Sequence, residues 1–411
     1  MTDNELLPPR LERLQKTSLV IGFAVLAVMV LYGLLGNHPT HFFQSYLIGY
    51  LFALSFTLGG FGWLCIHHLA GGGWGYVSRR VFEAGAKNIT LMAVLFLPIL
   101  FTVVSGNSDV YPWLDKDWAQ GDHVVAQKLS YLNSGNWVLR AVICFAIWIG
   151  LATLMNKWSE RQDATGEIVW RKKMKFLAGP ALLTYVLTMS VASVDWVMSL
   201  EPAWFSSIYG AMFFLGQGLS MMAFTIVFVV WLSKFQPMKT ELRVNRLHDL
   251  GNLQFAFILL WAYMEVSQFI IIWSAGLPEE ITWYMNRSRH GFEYVSTALV
   301  MLQFFIPFFV LISRGVKRVK ERIVKIALAI ICIRVLDLWW IVAPSLHPGV
   351  AGTGQKPVFD SGFPLFFTDL LAPVGFGAIW FGFFLRNFRQ KPVLPTKDPI
   401  FSEHFDGKEA A

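Results

Sequence analysis

Ten runs of roughly 20 mostly apolar residues dominate this chain, and a run of that length is what an α-helix needs to cross a bilayer. They fall at about 18–36, 43–69, 88–105, 136–156, 175–199, 207–233, 250–275, 291–313, 323–344 and 364–386. In hydrocarbon every backbone N–H and C=O must find a partner inside the protein, which leaves helices or a closed barrel. Barrel strands are short and alternate in polarity, so these long unbroken runs predict helices. The expected fold class is all-α, a polytopic membrane protein of about ten transmembrane helices. The composition of 55% hydrophobic and 15% charged residues fits that class.

A formal charge of +7 would suggest nucleic acid in a soluble chain, but here the basic residues lie between the apolar runs. Arg314, Lys317, Arg318, Lys320, Arg322 and Lys325 fill a single connection, and five other connections or tails on the same side are similarly basic. The opposite connections hold only Lys116, Lys128, Arg287, Arg289 and Lys356. By the positive-inside rule both termini are expected in the cytoplasm, with lipid rather than nucleic acid as the surrounding partner. Residues 1–17 read as a cytoplasmic N-terminal segment, 18–386 as the membrane domain and 387–411 as an extended cytoplasmic arm. The start is too polar and long for a signal peptide, so the first run is expected to remain as an anchor. Between 105 and 135, Asp109, Asp115, Asp117 and Asp122 accompany Trp113 and Trp118; that link either rests on the interface or docks a partner.

Metal and haem chemistry find little to work with in the pattern. Cys65, Cys144 and Cys332 are isolated, each in an apolar run, and are expected to be buried thiols rather than zinc or iron–sulfur ligands. Only His67 and His68 lie within a run, and adjacent helical residues point about 100° apart and cannot share one iron. His38, His41, His123, His248, His290, His347 and His404 fall in connections, tails or helix ends. No metal site and no bound haem are expected.

"IHHLAGGGWGYVSRRVFEAG", from Ile66 to Gly85, combines a glycine turn with Arg79 and Arg80, which are expected to face the cytoplasm. It reads either as a helix cap with interfacial histidines or as a proton uptake point built from His67, His68 and Glu83. Ionisable residues inside the runs are functional candidates by default. Arg140 and Asp195 lie near outer helix ends, Glu265 and Gln268 in an outer half, and Arg334 with Asp337 at mid-span. Arg334 and Asp337, three apart, can neutralise each other. Glu265 has no nearby cation on its own helix, and Trp261, Glu265 and Gln268 share one face. The proton-path candidates are therefore Asp195, Glu201, Glu265, Gln268, Asp337, His67, His68 and Glu83, with Arg140 and Arg334 as charge partners. Pro202 ends a helix in "SLEPAWFS", so Asp195 and Glu201 are expected to line an outer mouth between the fifth and sixth helices.

"DWVMSLEPAWFSSIYG" at 195–210, "IHHLAGGGWG" at 66–75, "WAYMEVSQFIIIWSAGLPEEITWY" at 261–284 and "PTKDP" at 395–399 resemble the ActF-type membrane subunits of bacterial alternative complex III, relatives of the NrfD-like membrane subunit of polysulfide reductase. The resemblance spans nearly the whole chain. It implies two four-helix bundles, about 43–199 and 207–344, flanked by the first and tenth helices. It also implies a bacterial inner-membrane subunit of a quinol:electron acceptor oxidoreductase. The implied partners are a paralogous ActC-like ten-helix quinol-site subunit, an iron–sulfur subunit and c-type cytochrome subunits. Haem c and iron–sulfur clusters would belong to those partners, with no redox cofactor in this chain and quinone or quinol as its possible ligand. His67, His68, Asp195 and Glu265 lie in the matching stretches.

The implied role is a proton path and scaffold, not catalysis by this chain alone. An alternative is a secondary transporter, since ten helices with buried charges also suit inverted repeats. A structural anchor is a third reading.

Overall fold

A computed structural model describes residues 3–35, 39–108, 110–289, 291–346, 365 and 367–398. His38, His290, His347, His404, Asp109, Lys356 and the C-terminal arm after residue 398 lie outside the described residues. The protein is an all-α polytopic membrane protein, and ten helices are long and apolar enough to cross a bilayer. They are α1 (Pro9–Gly33), α2 (His41–Ala70), α3 (Gly73–Val104), α4 (Ser134–Thr165), α5 (Ile168–Leu200), α6 (Tyr209–Leu232), α7 (Val244–Ala275), α8 (Phe292–Leu311), α9 (Lys320–Leu346) and α10 (Phe367–Phe388).

Helices α2–α5 pack as one bundle and α6–α9 as a second, while α1 lies along α10, which in turn rests on α2. Apolar surface is no driving force between helices in lipid, so close approach and polar links must hold them. The bundles meet where α2 crosses α6: a Cβ at Gly59 would stand 2.2 Å from the Gln217 carbonyl oxygen. Trp63 Nε1 donates to the Gly218 carbonyl at 2.8 Å across the same seam. The apolar part of α2 is fully buried, whereas only 11% of that of α1 is, so α2 is the axis of the molecule and α1 its edge.

Three expectations change. The third helix starts at Gly73 rather than near residue 88, with breaks at Asn88 and Phe96. Its first piece, Gly73–Lys87, is polar in sequence but buried along most of its length, because its charges find partners inside the protein. Cys65 and Cys144 are buried, but Cys332 faces outward. In the 105–135 link Trp113 does not rest on the interface: the described residues fold back over the first bundle, burying Tyr111 and Trp113, with the Tyr111 hydroxyl donating to the Trp196 carbonyl at 3.1 Å.

Candidate functional site

The second bundle carries a polar cluster at the wall of a cavity. Residues three apart on a helix share a face, so Arg334 and Asp337 of α9 reach each other and form the expected ion pair, fully buried. Room for the guanidinium comes from α6, where a Cβ at Gly216 would lie 2.3 Å from Arg334 Nη2. From α7, Glu265 enters the wall of a cavity of about 390 Å³ that Asp337 also lines. Trp261, Tyr284, Arg287 and Trp340 form more of that wall. Asp337, Arg334 and Arg287 are the charged groups that act on Glu265. Among the described residues Glu265 Oε1 has no hydrogen-bond partner, and neither does Arg334 Nε. Burial first, then the Glu265 carboxylate, holds the Tyr284 phenol above its ordinary range.

Helix α8 passes this cluster through a π-helical turn, Val300–Phe305. Such turns widen a helix locally and recur at functional sites. Gln303 lies in the turn, fully buried, within side-chain reach of Asp337. Gln268, expected beside Glu265, instead accepts from Ser206 Oγ at 2.9 Å.

Glu201 does not share an outer mouth with Asp195. Its Oε1 accepts from Arg287 Nη1 at 2.9 Å and Ser345 Oγ at 2.6 Å, which ties the α5–α6 link to the second bundle. Arg287, read from sequence as an outer-loop charge, is 1% exposed. It also donates to the carbonyls of Ile341 at 2.7 Å and Trp283 at 3.1 Å, and stacks 3.6 Å over the Trp283 ring. Trp283, one turn earlier in the short helix Pro278–Asn286 that Arg287 caps, was the available signal.

Asp195 belongs to the first bundle. Arg140 grips it with two bonds, Nε to Oδ2 at 2.6 Å and Nη2 to Oδ1 at 2.9 Å, and lies 3.8 Å over the Tyr131 ring. Burial and then Asp195 push the Tyr131 phenol up to about 12. Trp137 Nε1 and Ser199 Oγ both donate to the Asp195 carbonyl, at 2.8 and 2.5 Å.

On the basic face Arg79 and Arg80 are buried, contrary to expectation, because one acid of the same helix and two outside it, Asp163 and Asp398, meet them. Glu83 Oε1 accepts from Arg79 Nε at 2.8 Å and Ser159 Oγ at 2.6 Å; its Oε2 accepts from Arg80 Nη1 at 2.8 Å and Lys391 Nζ at 3.1 Å. Arg80 also meets Asp163 at 2.5 Å. With both oxygens doubly engaged, Glu83 has no oxygen left for a histidine. His67 instead packs on the glycine turn: a Cβ at Gly75 would lie 1.8 Å from its Nδ1. His68 is buried, and among the described residues its Nε2 has no hydrogen-bond partner.

The C-terminal arm is folded down rather than extended over its described part. Asp398 accepts from Arg79 Nη1 at 2.8 Å and Arg171 Nη1 at 3.0 Å. Sequence reasoning also passed over Asp369 of α10, a buried carboxylate that accepts from Ser45 Oγ at 2.6 Å and Trp339 Nε1 at 3.0 Å. It joins α2, α9 and α10. Among the described residues no group of three or more His, Cys, Asp or Glu is placed to hold a metal ion. No family model and no curated protein matches the chain.

Proposed function

We propose that this chain is the cofactor-free, proton-conducting and scaffolding membrane subunit of a quinol:electron acceptor oxidoreductase of the alternative complex III type. The observation that carries the proton role is the cavity of about 390 Å³ lined by Glu265 and Asp337, with Glu265 Oε1 unpartnered at its wall. A carboxylate with a free oxygen beside space for water can take up and release a proton, and a nearby arginine tunes when it does so. Glu265 and Asp337 are the carriers, Arg334 the tuning charge. The first bundle, with its acids tied to cations, is the scaffold on which the iron–sulfur and cytochrome c subunits and an ActC-like subunit assemble. The protein resides in a bacterial inner membrane with its basic face and both termini in the cytoplasm, as the positive-inside rule requires.

Co-purification from native membranes tests the assembly. Cytochrome c absorbance should travel in the same band as this chain; a chain that runs alone would support the transporter reading. An impermeant thiol reagent applied to intact cells tests the orientation. A cysteine placed at Ala164 should stay unlabelled, and labelling there would reverse the topology.

A further inference from the structure

A second recess lies on the basic face, away from the acids of either bundle's outer half. It occupies about 530 Å³ between α3, α4 and α10. Lys87, Lys157, Glu160 and Asn387 form its polar side, while Leu91, Val94 and Phe383 form its apolar side. On α3 the polar piece ends at Lys87 and the apolar piece begins at Ile89, so the boundary between head-group and hydrocarbon character runs through the recess. The same change occurs on α4 between Ala152 and Lys157 and on α10 between Phe383 and Asn387. Three helices thus turn polar at one level. The recess opens sideways to lipid: Val94 is 58% exposed, and Thr90 and Lys157 are exposed beside it.

We propose that this recess binds one anionic glycerophospholipid of the leaflet on the basic face. Its phosphate sits between Lys87 and Lys157, and its acyl chains run along Leu91, Val94 and Phe383. Basic pockets between transmembrane helices recognise lipid head groups in this way. Lys157 is suited to the role because, among the described residues, it holds no hydrogen bond or ion pair. Lys87 donates to Gln390 Oε1 at 2.8 Å, and Asn387 Nδ2 to Asn88 Oδ1 at 2.8 Å, so the lipid would seal a seam that already joins α10 to the first bundle. Glu160 stands 3.8 Å from Lys87 and the same distance from Lys391. Its negative charge opposes the phosphate and limits the affinity.

Native mass spectrometry of the full chain in detergent tests this, with phosphatidylglycerol, a glucosyl diacylglycerol of the same acyl chains and inorganic phosphate as probes. Phosphatidylglycerol should be retained, about fivefold less by Lys157→Gln, with recovery in Lys157→Arg. Glu160→Gln should raise retention. The exposed Lys157 can be changed without disturbing the fold, which unchanged thermal unfolding in lipid-free detergent would verify. Equal retention of the glucolipid would reduce the recess to an apolar groove. Competition by millimolar inorganic phosphate would make it a free-anion site. Undiminished phosphatidylglycerol retention in Lys157→Gln would also overturn the proposal.

Discussion

The two bundles treat their buried acids in opposite ways. In the first, Asp195 has each oxygen held by Arg140, and Glu83 takes two donors on each oxygen. In the second, Asp337 is paired with Arg334 but Glu265 stands at a cavity with Oε1 unpartnered. A fully satisfied polar network fixes helices against each other, and removing one member leaves an uncompensated charge. A partly satisfied network beside a cavity can accept a proton without first breaking anything. The contrast separates scaffold from carrier, and substitutions on either side can break it.

The largest effect is expected at a satisfied pair on the second bundle, Glu201 with Arg287. Arg287→Met leaves Glu201 without its counter-charge and frees the carbonyls of Trp283, Trp340 and Ile341, and should destabilise the protein by about 3–5 kcal/mol, read as a lowered thermal unfolding midpoint in mild detergent. A midpoint like that of the unaltered protein would mean that the Glu201 link does not hold the second bundle together.

Gly216→Ala places a methyl where Arg334 Nη2 now lies, at 2.3 Å. Such overpacking should cost about 1–3 kcal/mol and shift Arg334 away from Asp337. The same substitution should impair proton movement more than Gly75→Ala, which crowds His67 in the first bundle. Equal effects on proton movement would erase the distinction drawn between the bundles.

A double-mutant cycle on Arg140→Gln and Asp195→Asn should give a coupling on the order of 0.5–3 kcal/mol, since the two side chains share two hydrogen bonds. Zero coupling would mean that the pair is incidental. Least affected in stability should be Glu265→Gln, at about 0.5 kcal/mol or less, because the amide keeps the shape and no partner of Oε1 is lost.

All ten helices were legible in sequence because hydrocarbon allows few alternatives, and the i, i+3 spacing announced the Arg334–Asp337 pair. What escaped was pairing between distant segments. Helix α3 was read as starting late because Arg79, Arg80 and Glu83 look solvated until Ser159, Asp163, Lys391 and Asp398 are brought around them. Arg287 looked like a loop charge for the same reason. Glu201 and Asp195, six residues apart, were expected together, yet the turn between them sends one to each bundle. Glu265 could be singled out as an acid without a local cation, but the cavity beside it and the π-turn of α8 come only from packing.

The central claim is that Glu265 carries protons. Its most direct test is Glu265→Gln in the complex as purified from native membranes and sealed into vesicles, with protons moved per electron measured alongside quinol oxidation. The account predicts normal assembly, partly retained oxidation and a reduced proton-to-electron ratio, while Asp195→Asn leaves that ratio unchanged once assembled. A Glu265→Gln complex that assembles normally and moves as many protons per electron as the unaltered one would contradict it.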